Sequence, residues 1–438
     1  MVITSSFCLM KWFQLIVDKV FLFLVDRIYI ENISVLRKEP KWMLDWRINA
    51  FYCWSFMCFP IWSKIGLNYK EFNEELINMD VNYMEATNKH VSDIDVIYNS
   101  NSVYLNLTKE LKKLGVQFMN LSMATLLSPV YIRRYFGKVI SSNDNYFSAL
   151  NSMFFTDGTF VVIPKNIKNP VVLSTYFKIN RKGNGQFERT LIILEDRSCA
   201  SYFEGCNSDI ASGNVLHAAV VEIIVRNSSC LRYSTFQNWL GGKNGVLNFV
   251  TKRALCSERY SKIIWIQVEI GAAVTWKYPS SVLVAKDSKT EFYSLSISNS
   301  NQCVDTGTKV YHVSSNTDST VLSKSVAYGF STNIFRINVH IGQKNCKSVV
   351  KCNTLLWSER CMACSLPTIE VNCFSSSVEY ESVSSYVTKM QLNYCKNRGL
   401  SGNDTLRLII NGHVYDILRY LPIEISSEIS NLFLDNNT

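Results

Sequence analysis

Phe160-Val161-Val162-Ile163 opens a ladder of short apolar runs that continues with Val171 to Ile179, Thr190 to Leu194, Ala218 to Val225 and Leu231 to Phe236. Ile263 to Glu269, Glu291 to Ile297 and Lys309 to Val313 carry it on. Each run has strand length, is rich in β-branched and aromatic residues, and ends at Asn, Gly or Ser turns, so residues 151–378 are expected to be all-β. The region is too long for a common sandwich. Its runs recur at intervals compatible with the coils of a solenoid, in which each coil stacks only on its neighbours. Asn184-Gly185 and Asn244-Gly245 are each suited to a tight hairpin turn. The other junctions lack such a pair, and periodicity alone does not separate parallel coils from an antiparallel sandwich. Of the 14 cysteines, Cys199, Cys206, Cys230, Cys256, Cys303, Cys346, Cys352, Cys361, Cys364 and Cys373 fall in this stretch. A rigid β frame carrying thiols suits sulfur or metal chemistry.

The flanks read differently. Residues 1–150 are expected to be helical, with Trp42 to Phe51 at helical spacing and an amphipathic stripe of Leu105, Leu107, Leu111 and Leu114. Asp93 to Ser102 reads as a loop or short extended segment. Residues 379–438 form a second helical unit, with helical spacing at Val383 to Asn397 and Leu408 to Ile417. Gly399 is the expected C-terminal breaker and Ser401 the following N-cap. Pro422 opens a last short helix over Ile423 to Phe433.

With 438 residues, 47% hydrophobic and 18% charged, the chain has the composition of a folded protein. Its net charge of +9 is diffuse, with only doublets such as Arg133-Arg134 and Lys252-Arg253, which argues against nucleic acid as a partner. Phe13 to Ile30 is interrupted by Asp18, Lys19, Asp26 and Arg27, and Phe51 to Trp62 is short and contains Pro60. Neither makes a membrane span or a cleavable leader, and a peripheral membrane contact is left open for the first. The scattered cysteines show no secreted-domain spacing, so a reducing compartment is expected.

Three motifs carry chemistry. Cys256 follows Lys252-Arg253, and cations near a thiol stabilise its thiolate, although a buried inert cysteine is the commoner outcome. Cys352, with Glu381 further on, offers the thiolate and carboxylate that hold iron, although a carboxylate before a helix more often serves the helix dipole. Cys361-Met362-Ala363-Cys364 is a lone CxxC with no second ligand pair. A phosphate-binding P-loop, a Gly-x-Ser-x-Gly elbow and a histidine cluster are all missing from the sequence.

The chain resembles the SufB/SufD family of the Suf iron–sulfur cluster assembly system, in particular its SufB scaffold subunits. The likeness is carried by Glu39 to Arg47, Asn145 to Asn151, Gly185 to Ile193, Glu204-Gly205-Cys206, Leu216 to Glu222 and Arg232 to Trp239. Asn248 to Cys256, Thr275 to Ser280, Asp305 to Lys309 and Ile409 to Gly412 continue it. The order of these stretches over residues 36–433 matters more than any one of them.

The resemblance implies a right-handed parallel β-helix between helical ends. It implies a scaffold rather than an enzyme, with ATP hydrolysis on a SufC-like ATPase docked to the C-terminal helices. A SufD-like β-helix protein or a second copy is the other expected partner, and a desulfurase or carrier the sulfur donor. It assigns sulfur acceptance to Cys256, the nascent cluster to Cys352 and Glu381, and the sulfur route inside the β-helix to Arg232 and Lys309. A transient iron–sulfur cluster is the expected cargo. A reduced flavin is left open, and no flavin fingerprint is seen.

The chain departs from the family at Glu379-Tyr380-Glu381, where Glu-His-Glu is usual, and at Ser385-Tyr386, where Ser-Lys is usual. It departs again at Cys361 to Cys364, where the family has Cys-Gly-Ala-His. The relaxed, Asn/Ser/Ile-rich composition suits a plastid-encoded protein of a chloroplast stroma or of a relict, non-photosynthetic plastid such as an apicoplast, with a bacterial-type cytoplasm as the alternative. A β-helix polysaccharide enzyme and an inert structural adaptor are the competing readings.

Overall fold

A computed structural model of the chain describes residues 27–58, 60, 94–98, 101–168, 170–179, 185–208, 215–239, 245–421, 426, 427 and 429. The apolar run Phe13 to Ile30 lies outside them up to residue 26, as do residues 61–62 of the second run and most of the expected helix Ile423 to Phe433.

Strands of the β region form two facing ten-stranded sheets. The first runs β2 (Asn101–Asn106), β1 (Ile94–Tyr98), β5 (Val171–Ile179), β7 (Cys199–Ser208), β9 (Cys230–Trp239), β11 (Lys262–Ile270), β14 (Lys289–Ser298), β16 (Asp318–Ala327), β18 (Lys347–Leu356) and β20 (Ser377–Tyr386). The second runs β3 (Gln117–Asn120), β4 (Thr159–Ile163), β6 (Gln186–Leu194), β8 (Val215–Val225), β10 (Val246–Cys256), β12 (Val274–Lys277) with β13 (Ser280–Leu283), β15 (Cys303–His312), β17 (Thr332–Ile341) and β19 (Met362–Val371). From β4 onward successive strands alternate between the sheets and pair in parallel with the coil before, so the region is a parallel β-solenoid. Asn184 and Asn244 of the two expected hairpin turns lie outside the described residues, and the strands on either side of each are not hairpin partners. β5 and β6, like β9 and β10, belong to opposite sheets and do not pair.

A left-handed residue recurs at one corner of the coils. Asn166, Arg197, Ser228, Tyr260, Asp287, Asn316 and Asn345 all have φ between 52° and 66°. Five of them use the exposed N–H to reach the next coil: Asn166 to Asp196 O, Arg197 to Asn227 O, Ser228 to Arg259 O, Tyr260 to Lys286 O and Asn316 to Lys344 O, at 2.7–3.4 Å. The conformation costs a non-glycine residue about 1–2 kcal/mol, which the coil-to-coil bond offsets.

Helices seal the outer faces. α1 (Arg27–Leu36), α2 (Lys41–Ser55) and α6 (Tyr146–Phe154) lie over the second sheet, burying Ile30, Met43, Trp54 and Phe154 against Phe187 and Phe249. Phe147 stacks on Phe249 at 4.0 Å. Asn145 caps α6 through a reciprocal capping box. A fully buried pair, Arg189 Nη2 to Glu222 Oε1 at 2.7 Å, anchors this layer, and Glu222 also accepts the N–H groups of Gly137, Val139 and Ile140. On the first sheet, α8 (Gly402–Leu418) buries Ile410, Val414 and Ile417 against Val268, Leu295 and Val326. Ser401 caps α8 as expected, and Gly399 has φ +86°. No helix among the described residues is long and apolar enough to cross a membrane.

Two helical expectations give way to strand. Leu105 belongs to β2, which pairs with β1, and only α3 (Lys109–Lys113) is helical there. Val383 to Tyr386 completes β20, and α7 begins at Lys389 and ends at Lys396. In both places a neighbouring strand offers backbone partners that outweigh local spacing.

Replacing Asn316 by Val is expected to destabilise the protein by about 1–2 kcal/mol, while Asn316→Gly leaves it unchanged or slightly more stable. Urea unfolding of the two variants measures the difference; equal midpoints would count against the corner argument.

Candidate functional site

Alternation along the strands decides which side chains enter the solenoid. In β9, Leu231, Tyr233, Thr235 and Gln237 are buried while Arg232 is exposed. Arg232 therefore stands on the outer surface and not on an internal route. Lys309 also points outward, half-buried, between fully buried Thr308 and Val310.

Inside, between β6 and β12, the core is polar. Lys252 Nζ donates to Glu204 at 2.6 Å and to the Tyr233 hydroxyl at 3.2 Å, and that hydroxyl donates to the same carboxylate. Lys277 Nζ bonds Glu269 and, at 3.2 Å, Thr235. Asn248 Nδ2 donates to Gln237 Oε1 at 2.5 Å, and its Oδ1 lies 2.9 Å from His217 Nδ1. Cys206 enters this network: its Sγ is 3.8 Å from Glu204 Oε1 and accepts from Gln237 Nε2 at 3.6 Å.

Burial dominates the ionisation here. It pushes the Cys206 thiol well above its ordinary value, helped by Glu204 and Glu188 and opposed by Lys252 and Lys277. Burial also pulls the Lys252 ammonium down to about 8, against the attraction of Glu204. For Glu204, burial acts upward, but Lys252 and Lys277 outweigh it and hold the carboxyl below its usual range. The result is a thiol, a carboxylate and a lysine close to losing its proton, in contact in that order.

This polar core continues as a file. Register pairing carries Glu204 to Thr235, Gln267, Ser294, Ser323 and then Cys352. All are buried, and Gln267 Nε2 donates to Ser294 at 2.9 Å. Five rungs at about 4.8 Å give roughly 24 Å from Glu204 to Cys352. A polar row inside a solenoid costs stability unless its groups are satisfied, which marks it as functional more than structural.

The structure separates two expected pairs. Cys256 is fully buried in an aliphatic cluster with Ile223, Val225 and Leu283, and burial pushes its thiol up to about 12. Of the cations preceding it, Lys252 serves Glu204, and Arg253 turns outward to Asp144 at 2.6 Å. Cys352 faces inward, its thiol pushed by burial to about 12 with Ser365 acting to lower it. Glu381 faces outward, more than half exposed and paired with Lys351 at 3.2 Å, so Cys352 and Glu381 occupy opposite faces of one sheet. Glu381 lies within β20, not ahead of a helix. Tyr380 turns inward, its hydroxyl 2.7 Å from Ser365, packed on the cluster that includes Cys352. Cys361 is buried and Cys364 exposed, so the CxxC does not converge. Among the described residues no three His, Cys, Asp or Glu side chains gather as a metal site.

Sequence reasoning passed over Cys206. The signal was present: Glu204 and Cys206 share strand parity, and Lys252 has the inward parity of its own strand.

The final coil is open. β19 and β20 are the last strands of their sheets, and Met362, Val383 and Phe374 are exposed. Such an end offers unpaired backbone and apolar surface together.

A two-sheet parallel solenoid with helical ends, a polar thiol-bearing interior and an open last coil defines a β-helix platform protein. Residues 177–413 match the core domain of SufB/SufD proteins of the SUF iron–sulfur cluster assembly system, and residues 66–173 match the family's N-terminal region. The chain is 39% identical over 435 residues to an iron–sulfur cluster assembly SufBD family protein of Synechocystis sp., covering 92% of this chain and 91% of that one. It is 39% identical to the ycf24 protein of Guillardia theta, covering 93% and 91%, and 39% identical to the iron–sulfur cluster assembly protein SufB of Plasmodium falciparum, covering 81% and 77%. The chain belongs to the SufBD family of iron–sulfur cluster assembly proteins. The comparisons bring iron–sulfur clusters to it and no flavin.

Removing Lys252 alone strands a buried carboxylate, so Lys252→Met is expected to cost about 3–5 kcal/mol, most of it recovered in Lys252→Met/Glu204→Gln. Chemical denaturation tests the pair, and equal losses in both variants would contradict it. A pH effect follows. An unfolded lysine holds its proton to about 10.4, the folded Lys252 only to about 8. Between these values the unfolded state binds more protons, so this residue makes stability rise with pH there; below about 8 the proton is bound in both states. The double variant should lose that rise in urea midpoints measured from pH 8 to 10.

Proposed function

We propose that this chain is a scaffold on which sulfur and iron are combined into a cluster, with sulfur received at Cys206 and the cluster formed at Cys352. The observation that carries the reading is the buried polar file joining the two thiols' neighbourhoods, Glu204 through Ser323 to Cys352. Cys206 is preferred to Cys256 because it alone of the two has a carboxylate at hand to take its proton and an ammonium beside that carboxylate to offset the thiolate's charge. Its proton passes to the Glu204 carboxylate, and the Lys252 ammonium, in contact with Glu204, offsets the charge left on the sulfur. The thiolate then attacks the outer sulfur of a donor persulfide, the donor's S–S bond breaks, and the donor leaves as a thiol after taking up a proton. Iron is a substrate, held first at Cys352. Glu381, on the opposite face, takes part only if the last coil rearranges, so the remaining ligands come from a partner.

Two surfaces support the partners. The open edges of β19 and β20 suit a second β-solenoid, a SufD-like protein or another copy. Met390, Tyr394, Leu408 and Tyr415, exposed on α7 and α8, suit a SufC-like ATPase, which would supply the ATP hydrolysis. We divide the chain into an N-terminal unit over residues 1–150, mainly helical but lending β1 to β3 to the sheets, a β-helix over 151–378 that β20 carries on to Tyr386, and a partner-docking helical unit in the remainder of 379–438. A plastid is the proposed location, supported by relatives named ycf24 and by one named as chloroplastic in Arabidopsis thaliana.

Persulfide formation with a cysteine desulfurase, followed by anaerobic reconstitution with iron, tests the assignment. Cys206→Ser should lose persulfide by at least about tenfold, Cys256→Ala should keep it, and Cys352→Ser should keep persulfide but lose cluster absorbance. Normal labelling of Cys206→Ser with loss in Cys256→Ala would return the role to Cys256.

A further inference from the structure

Outside the solenoid, against the second sheet, a cavity of about 700 Å³ opens between the start of α6 and strands β10 to β19. We propose that it binds a small phosphorylated molecule. Its floor is lined by Arg253, Lys309, Asn338 and Thr368, which belong to one outward column in which Ser280, buried, is the register partner between Arg253 and Lys309. Gly307 makes part of this floor possible, because a Cβ there would meet the Arg336 carbonyl oxygen at 1.7 Å. The volume is that of a small-ligand site.

The charges do not balance. Arg336 grips the buried Asp305 through Nε and Nη2 at 2.9 and 3.0 Å, and Tyr278 donates to that carboxylate at 2.6 Å. Arg253 reaches Asp144 through Nη2 at 2.6 Å. Lys309 has no side-chain hydrogen bond or ion pair among the described residues, though it is half-buried. Two carboxylates therefore face three cations. Burial and then Arg253 push the Lys309 ammonium below its ordinary value, with Asp144 offsetting this only in part. An anion seated between Lys309 and Arg253 removes that repulsion.

The unused donors point to phosphate. Lys309 offers three N–H groups, and among the described residues Arg253 makes its one side-chain bond through Nη2. A phosphate carries up to two negative charges on three or more oxygens, so it can accept from both side chains and offset the excess positive charge more fully than a carboxylate, with one charge on two oxygens. The cavity also has an apolar side, from Trp276, Tyr278 and Leu366, that suits the body of an organic phosphate.

Isothermal titration of the full chain with inorganic phosphate, pyrophosphate, AMP and citrate tests the site. Pyrophosphate or AMP should bind with a sub-millimolar constant, weakened about tenfold or more in Lys309→Met at unchanged melting temperature and restored to within about threefold in Lys309→Arg. Cys206→Ser and Cys352→Ser should bind the same probe unchanged, which separates this site from the cluster chemistry. No heat with all three phosphates at millimolar concentration, unchanged binding in Lys309→Met, or citrate binding as tightly as pyrophosphate would each overturn the proposal.

Discussion

Parallel, in-register hydrogen bonding between coils governs this molecule from end to end. Because β9 lies on β7 residue for residue, and β11 on β9, a side chain's position in one coil determines its neighbours in the next. Inside the solenoid this builds continuous columns, one apolar and aromatic through Tyr202, Tyr233, Trp265 and Phe292, another polar from Glu204 to Cys352. Outside, the same rule lines up Arg253 and Lys309 through Ser280. The left-handed corner residues are the local cost of keeping the register.

The interior is a compromise between stability and chemistry. Lys252 and Lys277 are fully buried, and burying a charge is costly unless it is paired and bonded. Each finds a carboxylate and a hydroxyl. The aliphatic part of the core, including the cluster around Cys256, supplies the favourable burial that lets the polar part persist. The helices α6 and α8 add apolar contacts on the two outer faces. They leave the last coil uncovered, and that is where the polar file ends.

The β region, the flanking helices around Trp42 and Leu408, the Ser401 cap and the family were all legible in the chain. Misreadings occurred where local spacing competed with pairing. Leu105 fits a helical stripe, yet β1 supplies a strand partner. Val383 to Tyr386 fits one too, yet β18 lies beside it. At the site, nearness in sequence misled: Lys252-Arg253 sits close to Cys256 along the chain, but the pleat turns Arg253 outward to Asp144, while Lys252, inward like Cys256 and four residues before it, is engaged by Glu204 across the solenoid. The same pleat parts Glu381 from Cys352.

By itself the sequence determined that residues 151–378 are a run of strands with thiols held on them, because strand propensity and turn chemistry are local properties; that the strands coil in parallel came from the family likeness and the pairing between coils. Which thiol meets which charge was decided only by tertiary structure. Cys206, Glu204 and Lys252 come from β7 and β10 in opposite sheets, and their contact exists because the two sheets face each other across the solenoid. No local pattern encodes that distance.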